Sequence, residues 1–105
     1  MRPVAALALA VLAAAAPAGA ADGAPAPARA REILALLRQD CGACHGIRLT
    51  GGLGPALTPG ALRAKPSEGL VATIVSGRAG TPMPPWRDFL SESEARWLVA
   101  RLLAG

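Results

Sequence analysis

The chain has 105 residues, a formal net charge of +4 and only three aromatic residues. Its length allows at most one ordinary domain, and its charge is too small and too scattered to indicate a protein that binds nucleic acid. Aromatic side chains normally supply much of the buried area of a small core. A chain this short and this poor in aromatic residues is therefore expected to need a disulfide, a metal or another staple.

The first 20 residues have the pattern of a cleavable secretory signal peptide. Arg2 supplies a positive charge, residues 4–16 are uncharged and apolar, and Ala18-Gly19-Ala20 matches an A-x-A cleavage site. A membrane span needs about 20 apolar residues, so the run is short for an uncleaved anchor, which stays as the alternative. We expect an exported mature chain of 85 residues with no membrane span.

The mature chain is predicted to begin with a flexible leader over residues 21–29, where alternating Ala and Pro cannot continue a helix. A single domain is expected over residues 30–105. Helical periodicity begins near Arg29 and predicts a first helix that runs into Cys41. The apolar stripe of this helix consists of Ile33, Leu34 and Leu37.

The middle of the chain alternates between loops and helices. Residues 42–59 are rich in glycine and have no sustained period, which predicts a compact loop. Near its end, Thr58 and Pro59 predict a cap followed by a short helical turn. A second helix is predicted from residue 66 or 67 to Ser76, because its apolar residues recur four positions apart.

The last part of the chain combines a stiff segment with an amphipathic helix. Three prolines within four positions make residues 80–86 a stiff extended loop. The final helix is predicted to begin at Ser91, which can form a capping box with Glu94. Its apolar face consists of Ala95, Leu98 and Leu102. Only the stripe of the first helix is expected to cover this face. The absence of strand alternation in the sequence predicts an all-α fold.

Cys41, Cys44 and His45 form the pattern C-x-x-C-H, the attachment signature of c-type haem. Two thiols at this spacing can reach the two vinyl-derived carbons of one haem, while the histidine offers its imidazole to iron. A structural zinc site would need four ligands, but the chain has no further Cys or His. A thioredoxin-like dithiol would accompany a βαβ unit, and the sequence shows no strand pattern. A simple disulfide remains the alternative. The motif therefore predicts one covalent haem c bound through Cys41 and Cys44.

Met83 is the predicted second axial ligand. His45 is the only histidine, both cysteines are assigned to attachment, and Met1 leaves with the signal peptide or stays at a remote terminus. Met83 lies between two prolines in a rigid loop that can hold its sulfur at a fixed distance from iron. Met83 as a packing residue, Lys65 as the ligand, and an open sixth site stay as alternatives.

The stretch Gly51-Gly52-Leu53-Gly54-Pro55 is expected to pass close to the flat haem ring. It lacks the Lys-Ser/Thr pair of a P-loop and the spacing of a dinucleotide-binding motif, so a phosphate site is not predicted. The carbonyl of Pro55 or Gly54 is expected to accept a hydrogen bond from the second ring nitrogen of His45 and so orient the ring.

Several basic and aromatic residues lie near these motifs. The basic side chains either ring an exposed haem edge for an acidic partner or form an ordinary solvated surface. They are Arg48, Arg63, Lys65, Arg78 and Arg87. The aromatic side chains are expected to pack against haem and helices rather than to relay electrons. They are Trp86, Phe89 and Trp97.

The chain resembles a short class I cytochrome c over about residues 30–103. The resemblance consists of a helix ending in C-x-x-C-H, a Gly-Pro loop, a Pro-flanked Met and a final amphipathic helix. More narrowly, three segments are similar to cytochrome c55X, a family of small periplasmic cytochromes of denitrifying bacteria. They are RQDCGACHG at 38–46, GGLGPALTP at 51–59 and GTPMPPW at 80–86. That family is found alongside the cd-type nitrite reductase and its haem d maturation proteins.

The resemblance implies a small all-α domain of about three to four helices around one covalently bound haem. It implies that Cys41 and Cys44 carry the haem and that His45 and Met83 ligate its iron. The implied protein is a periplasmic electron carrier, not an enzyme, and its redox partner is that reductase or the maturation proteins; we expect a monomer. A haem enzyme or gas-sensing subunit with an open sixth site is the alternative, and ligation by Met83 distinguishes the two.

Overall fold

The structure is a computed structural model that describes residues 1, 3–14 and 23–105. Arg2, the predicted cleavage site at 18–20 and the first two residues of the expected leader lie outside the described residues. The described residues form helices and no strand, which confirms the all-α prediction. In these same ranges, no helix has both the length and the apolar character that crossing a membrane requires.

A continuous helical run precedes and includes the C-x-x-C-H motif. It consists of α1 (Pro27–Leu36), a π-helical turn (Leu37–Cys41) and α2 (Gly42–His45). The run begins two residues before Arg29, inside the expected leader. Pro27 allows this because proline is favoured at the first helical position, where its fixed φ fits the helix and its missing N–H has no partner to lose.

The same run extends beyond its predicted end. The helix was expected to finish at Cys41 and the loop to begin at Gly42, but Gly42–His45 is helical. The turn to loop structure occurs at Gly46, whose φ of 95° lies in the region that favours glycine. The motif is therefore carried on the last turns of a helix rather than at the start of a loop.

Three further helices follow, each close to its predicted position. They are α3 (Pro59–Leu62), α4 (Ser67–Ser76) and α5 (Glu92–Ala104). The Thr58 side chain caps α3 by accepting from the amide of Ala61 at 3.3 Å. Ser91 and Glu94 form the predicted capping box, with reciprocal hydrogen bonds of 3.1 and 2.9 Å.

Helix α5 packs on two sides. One buried cluster joins the first helical run to α5 and includes Ile33, Leu37, Leu98 and Leu102, which confirms that the stripes of the first and last helices share a core. Ala95 belongs instead to a second cluster with Val71 and Val99, on the side of α4. The expectation that the first helix alone covers α5 was wrong, because α5 carries apolar residues on a face wide enough for two neighbours.

An ion pair connects the start of α1 to the start of α5. Nε of Arg29 donates to Glu94 at 2.6 Å, and Nη2 donates both to Glu94 at 3.1 Å and to the carbonyl of Phe89 at 2.6 Å. The bonds from Arg29 to Glu94, together with the bond from the Ser91 amide, lower the pKa of Glu94 from 4.5 to about 2. A charge-assisted contact thereby joins the start of α1 to the start of α5.

Candidate haem site

The helices surround an apolar cavity of about 500 Å³. Its walls come from the first helical run, α3, α4 and α5, and include Leu37, Leu62, Leu70, Ile74 and Leu98. Ligand sites in proteins commonly have volumes of about 300–1,000 Å³ and predominantly apolar walls with a few placed polar groups. The missing aromatic core noted in the sequence thus corresponds to a space that the polypeptide itself does not fill.

The structure brings four of the five predicted site residues to this cavity. Cys41, His45, Pro55 and Met83 all line it. Cys44 is exposed and lies outside the lining, and both cysteines have free thiols. Burial, with a smaller contribution from the negative charge of Asp40, raises the pKa of the Cys41 thiol to about 11. Cys41 therefore presents a neutral thiol at the cavity wall, while Cys44 is open to solvent.

The ring of His45 is oriented by the backbone. Its Nδ1 lies 2.7 Å from the carbonyl oxygen of Pro55, and because a carbonyl can only accept, Nδ1 donates. In the neutral ring this leaves the lone pair on Nε2. Of the two carbonyls considered from the sequence, the acceptor is that of Pro55. The arrangement is the one that metal-ligating histidines use, with the second ring nitrogen bonded to an outer acceptor.

The glycines of this loop allow its backbone to pass close to the C-x-x-C-H motif. A Cβ on Gly54 would lie 2.7 Å from Cε1 and 2.8 Å from Nδ1 of His45, and one on Gly52 would lie 2.8 Å from the carbonyl oxygen of Cys44. Two backbone hydrogen bonds of 2.8 Å, from Gly54 to Cys44 and from Gly51 to His45, fix this approach. The expected passage of this stretch beside the haem ring stays a prediction, and the structure adds its close approach to Cys44 and His45.

Met83 is held in a loop that is anchored to the end of α4. Its carbonyl accepts from the amide of Arg78 at 3.1 Å, and its own amide donates to the Thr81 hydroxyl at 3.3 Å. At the end of the loop, the amide of Trp86 donates to the carbonyl of Ile74 at 2.9 Å. Gly77 is packed so tightly that a Cβ would lie 2.7–2.8 Å from the backbone of residues 83–85. The loop therefore places the Met83 side chain in the cavity lining with little freedom.

The three aromatic residues lie in different environments. Trp86 lines the cavity and lies 5.8 Å from Phe89, centroid to centroid. Phe89 is 60% exposed and does not line the cavity. Trp97 is half-buried against the core and has the Arg101 guanidinium 5.6 Å above its ring. Of the three aromatic residues, Trp86 alone belongs to the site.

The donors at the cavity match haem chemistry. Across the described ranges, no three His, Cys, Asp or Glu side chains are grouped closely enough to hold a metal ion by themselves. The cavity offers one imidazole and one thioether among apolar walls, and His with Met is the axial pair of cytochromes c. The residues present therefore fit a haem group.

Comparison with known proteins agrees with this fit. The family described as "Cytochrome C oxidase, cbb3-type, subunit III" matches residues 28–100. A solved structure of "c-type cytochrome NirC" is 62% identical with a TM-score of 0.76, over 77% of this chain and 95% of that chain. The chain belongs to this domain family, and with it to the class I c-type cytochromes.

Curated relatives narrow the assignment. Cytochrome c55X of Pseudomonas aeruginosa is 65% identical over 77 residues, which are 73% of this chain and 65% of the relative. Cytochrome c55X of Paracoccus denitrificans is 49% identical over 75 residues, which are 71% of this chain and 73% of the relative. Within its class, the chain therefore belongs to the cytochrome c55X family, and it spans slightly less than two thirds of the Pseudomonas relative.

A larger protein contains a similar domain. A structure of "Dihydro-heme d1 dehydrogenase NirN in complex with DHE" is 38% identical with a TM-score of 0.61, over 67% of this chain and 15% of that chain. The similarity thus concerns a small part of that protein.

Proposed function

We propose that this chain is a periplasmic single-electron carrier with one covalent haem c. The observation that carries the proposal is the apolar cavity at which Cys41, His45, Pro55 and Met83 meet. When bound there, haem supplies a one-electron couple between ferric and ferrous iron. No substrate is transformed, because the chain's contribution is attachment, ligation and a surface for redox partners.

The proposed roles of the residues follow from their positions. The sulfur atoms of Cys41 and Cys44 would tether the haem, and a ring nitrogen of His45 and the sulfur of Met83 would ligate its iron. The Pro55 carbonyl accepts a hydrogen bond from Nδ1 of His45 at 2.7 Å, which orients the ring and leaves the lone pair on Nε2. The leucine and isoleucine side chains of the walls exclude water from the cavity.

The location and domain boundaries belong to the same proposal. Residues 1–20 act as a cleaved signal peptide, as the apolar run and the A-x-A site indicate. The leader that follows ends earlier than residue 29, since the helical run that begins at Pro27 supports a cytochrome domain from about that residue. The mature protein is a monomer.

The proposed partner belongs to the nitrite-reduction system. Cytochromes c55X occur beside the cd-type nitrite reductase and its haem d maturation proteins, so either can exchange electrons with this chain. The similarity to a domain of a dihydro-haem d1 dehydrogenase specifically favours a role in maturation as the second candidate. Rates of electron transfer to purified nitrite reductase and to dihydro-haem d1 dehydrogenase, compared under the same conditions, distinguish the two roles.

Ligation by Met83 separates a carrier from the alternative, a haem enzyme or gas sensor with an open sixth site. The ferric protein is expected to be low-spin with a weak sulfur-to-iron band in the near-red, and the ferrous protein to bind little carbon monoxide. Met83→Leu retains an apolar side chain of similar size but removes the sulfur. It should therefore open the site, abolish the band and lower the potential as fully as Met83→Ala does.

The pair of variants also distinguishes ligation from packing. If Met83 only fills space, Met83→Leu should behave like the wild type and only Met83→Ala should be impaired. A wild-type protein that is already high-spin and binds carbon monoxide readily would refute the carrier proposal.

A further inference from the structure

The cavity lining carries positive charge without a matching negative charge. Among the described residues that line it, Lys65 and Arg78 are the Lys and Arg side chains, and no Asp or Glu is present. The other basic residues near the motifs, Arg48, Arg63 and Arg87, do not line the cavity. A ligand that fills the cavity can therefore place an anionic group beside these cations without facing a negative charge of the lining.

The two cationic residues line the cavity at opposite ends of one helix. Lys65 lies two residues before α4 and Arg78 two residues after it, while Leu70 and Ile74 of α4 form the wall between them. Both residues are exposed and both line the cavity, which is the usual position of long basic side chains whose stems cover apolar surface while their charged ends stay in water. In the part of the chain that the structure describes, neither side chain forms a hydrogen bond or an ion pair, in contrast to Arg29 and Arg96.

The backbone of Arg78 is fixed as firmly as that of Met83. Its amide donates to the Met83 carbonyl, and its carbonyl accepts from both the amide and the hydroxyl of Thr81, at 3.2 and 2.7 Å. The base of the Arg78 side chain is therefore fixed relative to the proposed axial ligand. An arginine placed in this way can offer its planar donor fork to a carboxylate without a large loss of entropy.

We infer that Lys65 and Arg78 bind the two propionate carboxylates of the haem. The inference rests on the proposed function, because it needs the haem in the cavity. A haem has two carboxylates and the lining has two cations, so each carboxylate can have one cationic partner. These two residues are then positioning groups for the cofactor, and the partner surface is left to Arg48, Arg63 and Arg87.

The ionisation of these carboxylates affects the midpoint potential. Ferric haem carries one more positive charge than ferrous haem, so ionised carboxylates favour the ferric form and their protonation raises the potential. The remaining titratable groups of the lining are Cys41 and His45, which attachment and ligation occupy. A plot of potential against pH therefore bends where a carboxylate titrates, and a nearby cation moves that bend to lower pH.

The test measures this plot for the purified holoprotein, with haem content checked by pyridine haemochrome. Lys65→Gln and Arg78→Gln should each move the bend upward by about one to three pH units, and Arg78→Lys should restore most of the shift. Arg63→Gln and Arg87→Gln are the matched controls, since they remove nearby charges that do not line the cavity. Both controls should keep the wild-type bend.

Each outcome has a definite meaning. A bend that stays at the control value in both Gln variants overturns the inference, and a shift in only one variant overturns the assignment of the other residue. Slower reaction with a redox partner at low ionic strength, without any shift, would instead make these residues part of the docking surface. A protein that attaches no haem refutes the proposed function, a result that the haemochrome spectrum reports separately.

Discussion

At the scale of single residues, the site depends on two kinds of position. Cys41, Cys44, His45 and Met83 supply reactive atoms, and the sequence identifies them because spacing and scarcity leave few other choices. Gly52 and Gly54 matter because they have no side chain, which allows the close approach of the loop to the motif. Their importance could not be predicted individually, since a glycine beside a histidine ring is close in space but nine positions away in sequence.

Gly54→Ala tests this close approach. The new Cβ would lie 2.7 Å from the His45 ring, so the ring or the loop must move and the hydrogen bond to Pro55 must lengthen. We expect the free energy of unfolding of the holoprotein to fall by about 1–3 kcal/mol, as overpacked sites commonly do. Denaturant titration of the low-spin haem spectrum measures it.

Gly60→Ala is the control for this substitution. A Cβ on Gly60 would meet nothing within 4 Å, and the residue lies in α3. Its stability should be unchanged or slightly higher, because alanine loses less backbone entropy than glycine in a helix. Equal stabilities for the two variants would show that the loop yields without strain.

At the scale of helices, local signals were sufficient where a cap marks the end. Thr58 and the pair of Ser91 and Glu94 correctly predicted the starts of α3 and α5 because each cap is a local hydrogen-bond pattern. The π-helical turn at Leu37–Cys41 has no comparable signal in the sequence. The sharing of α5 between two clusters also escaped prediction, since the width of an apolar face does not reveal which neighbour covers it.

The contact between α1 and α5 makes stability depend on pH. The pKa of Glu94 is about 2 in the folded protein, mainly because Arg29 donates to it, against 4.5 in the unfolded chain. A lowered folded pKa gives stabilisation that is complete above about pH 4.5 and is lost as the pH falls towards 2. The free energy of unfolding should therefore decline over this interval.

Glu94→Gln isolates that contribution. Glutamine can still close the capping box with Ser91, but it has no charge to lose, so the decline between pH 4.5 and 2 should become shallower. Asp88→Asn serves as the control, because Asp88 has no ion pair among the described residues. If both variants follow the wild-type curve, the Arg29 contact contributes nothing measurable to folding.

At the scale of the whole molecule, the polypeptide alone has a deficient core. In the part of the chain that the structure describes, nine apolar residues are buried, and six of them line a cavity of about 500 Å³. The sequence anticipated this deficiency from its three aromatic residues, whereas the shape of the space depends on how four helical segments meet. Stability should therefore come largely from whatever fills the cavity.

Cys44→Ser separates attachment from packing. Cys44 is exposed and outside the lining, so the substitution removes no core contact and acts only through the loss of a tether. We expect a sharp decrease in holoprotein and in soluble yield, and a broad thermal transition by circular dichroism. Cys41→Ala should be at least as severe, because Cys41 also contributes to the wall.

Ala43→Ser provides the matched control. It changes an exposed residue between the two cysteines and leaves the C-x-x-C-H pattern complete, so yield and melting should equal those of the wild type. A haem-free Cys44→Ser protein that melts cooperatively near the wild-type temperature would show that the polypeptide stabilises itself.

The hydrogen bond from His45 has a consequence for how this site tolerates mutation. Its acceptor is a main-chain oxygen at position 55, and every amino acid provides one. A substitution at that position therefore cannot remove the acceptor. The residue at position 55 can change during evolution without loss of this hydrogen bond, as long as the loop backbone keeps its conformation. The evolutionary restriction falls on positions 52 and 54, where a side chain would collide with the Cys44 carbonyl and with the His45 ring, respectively.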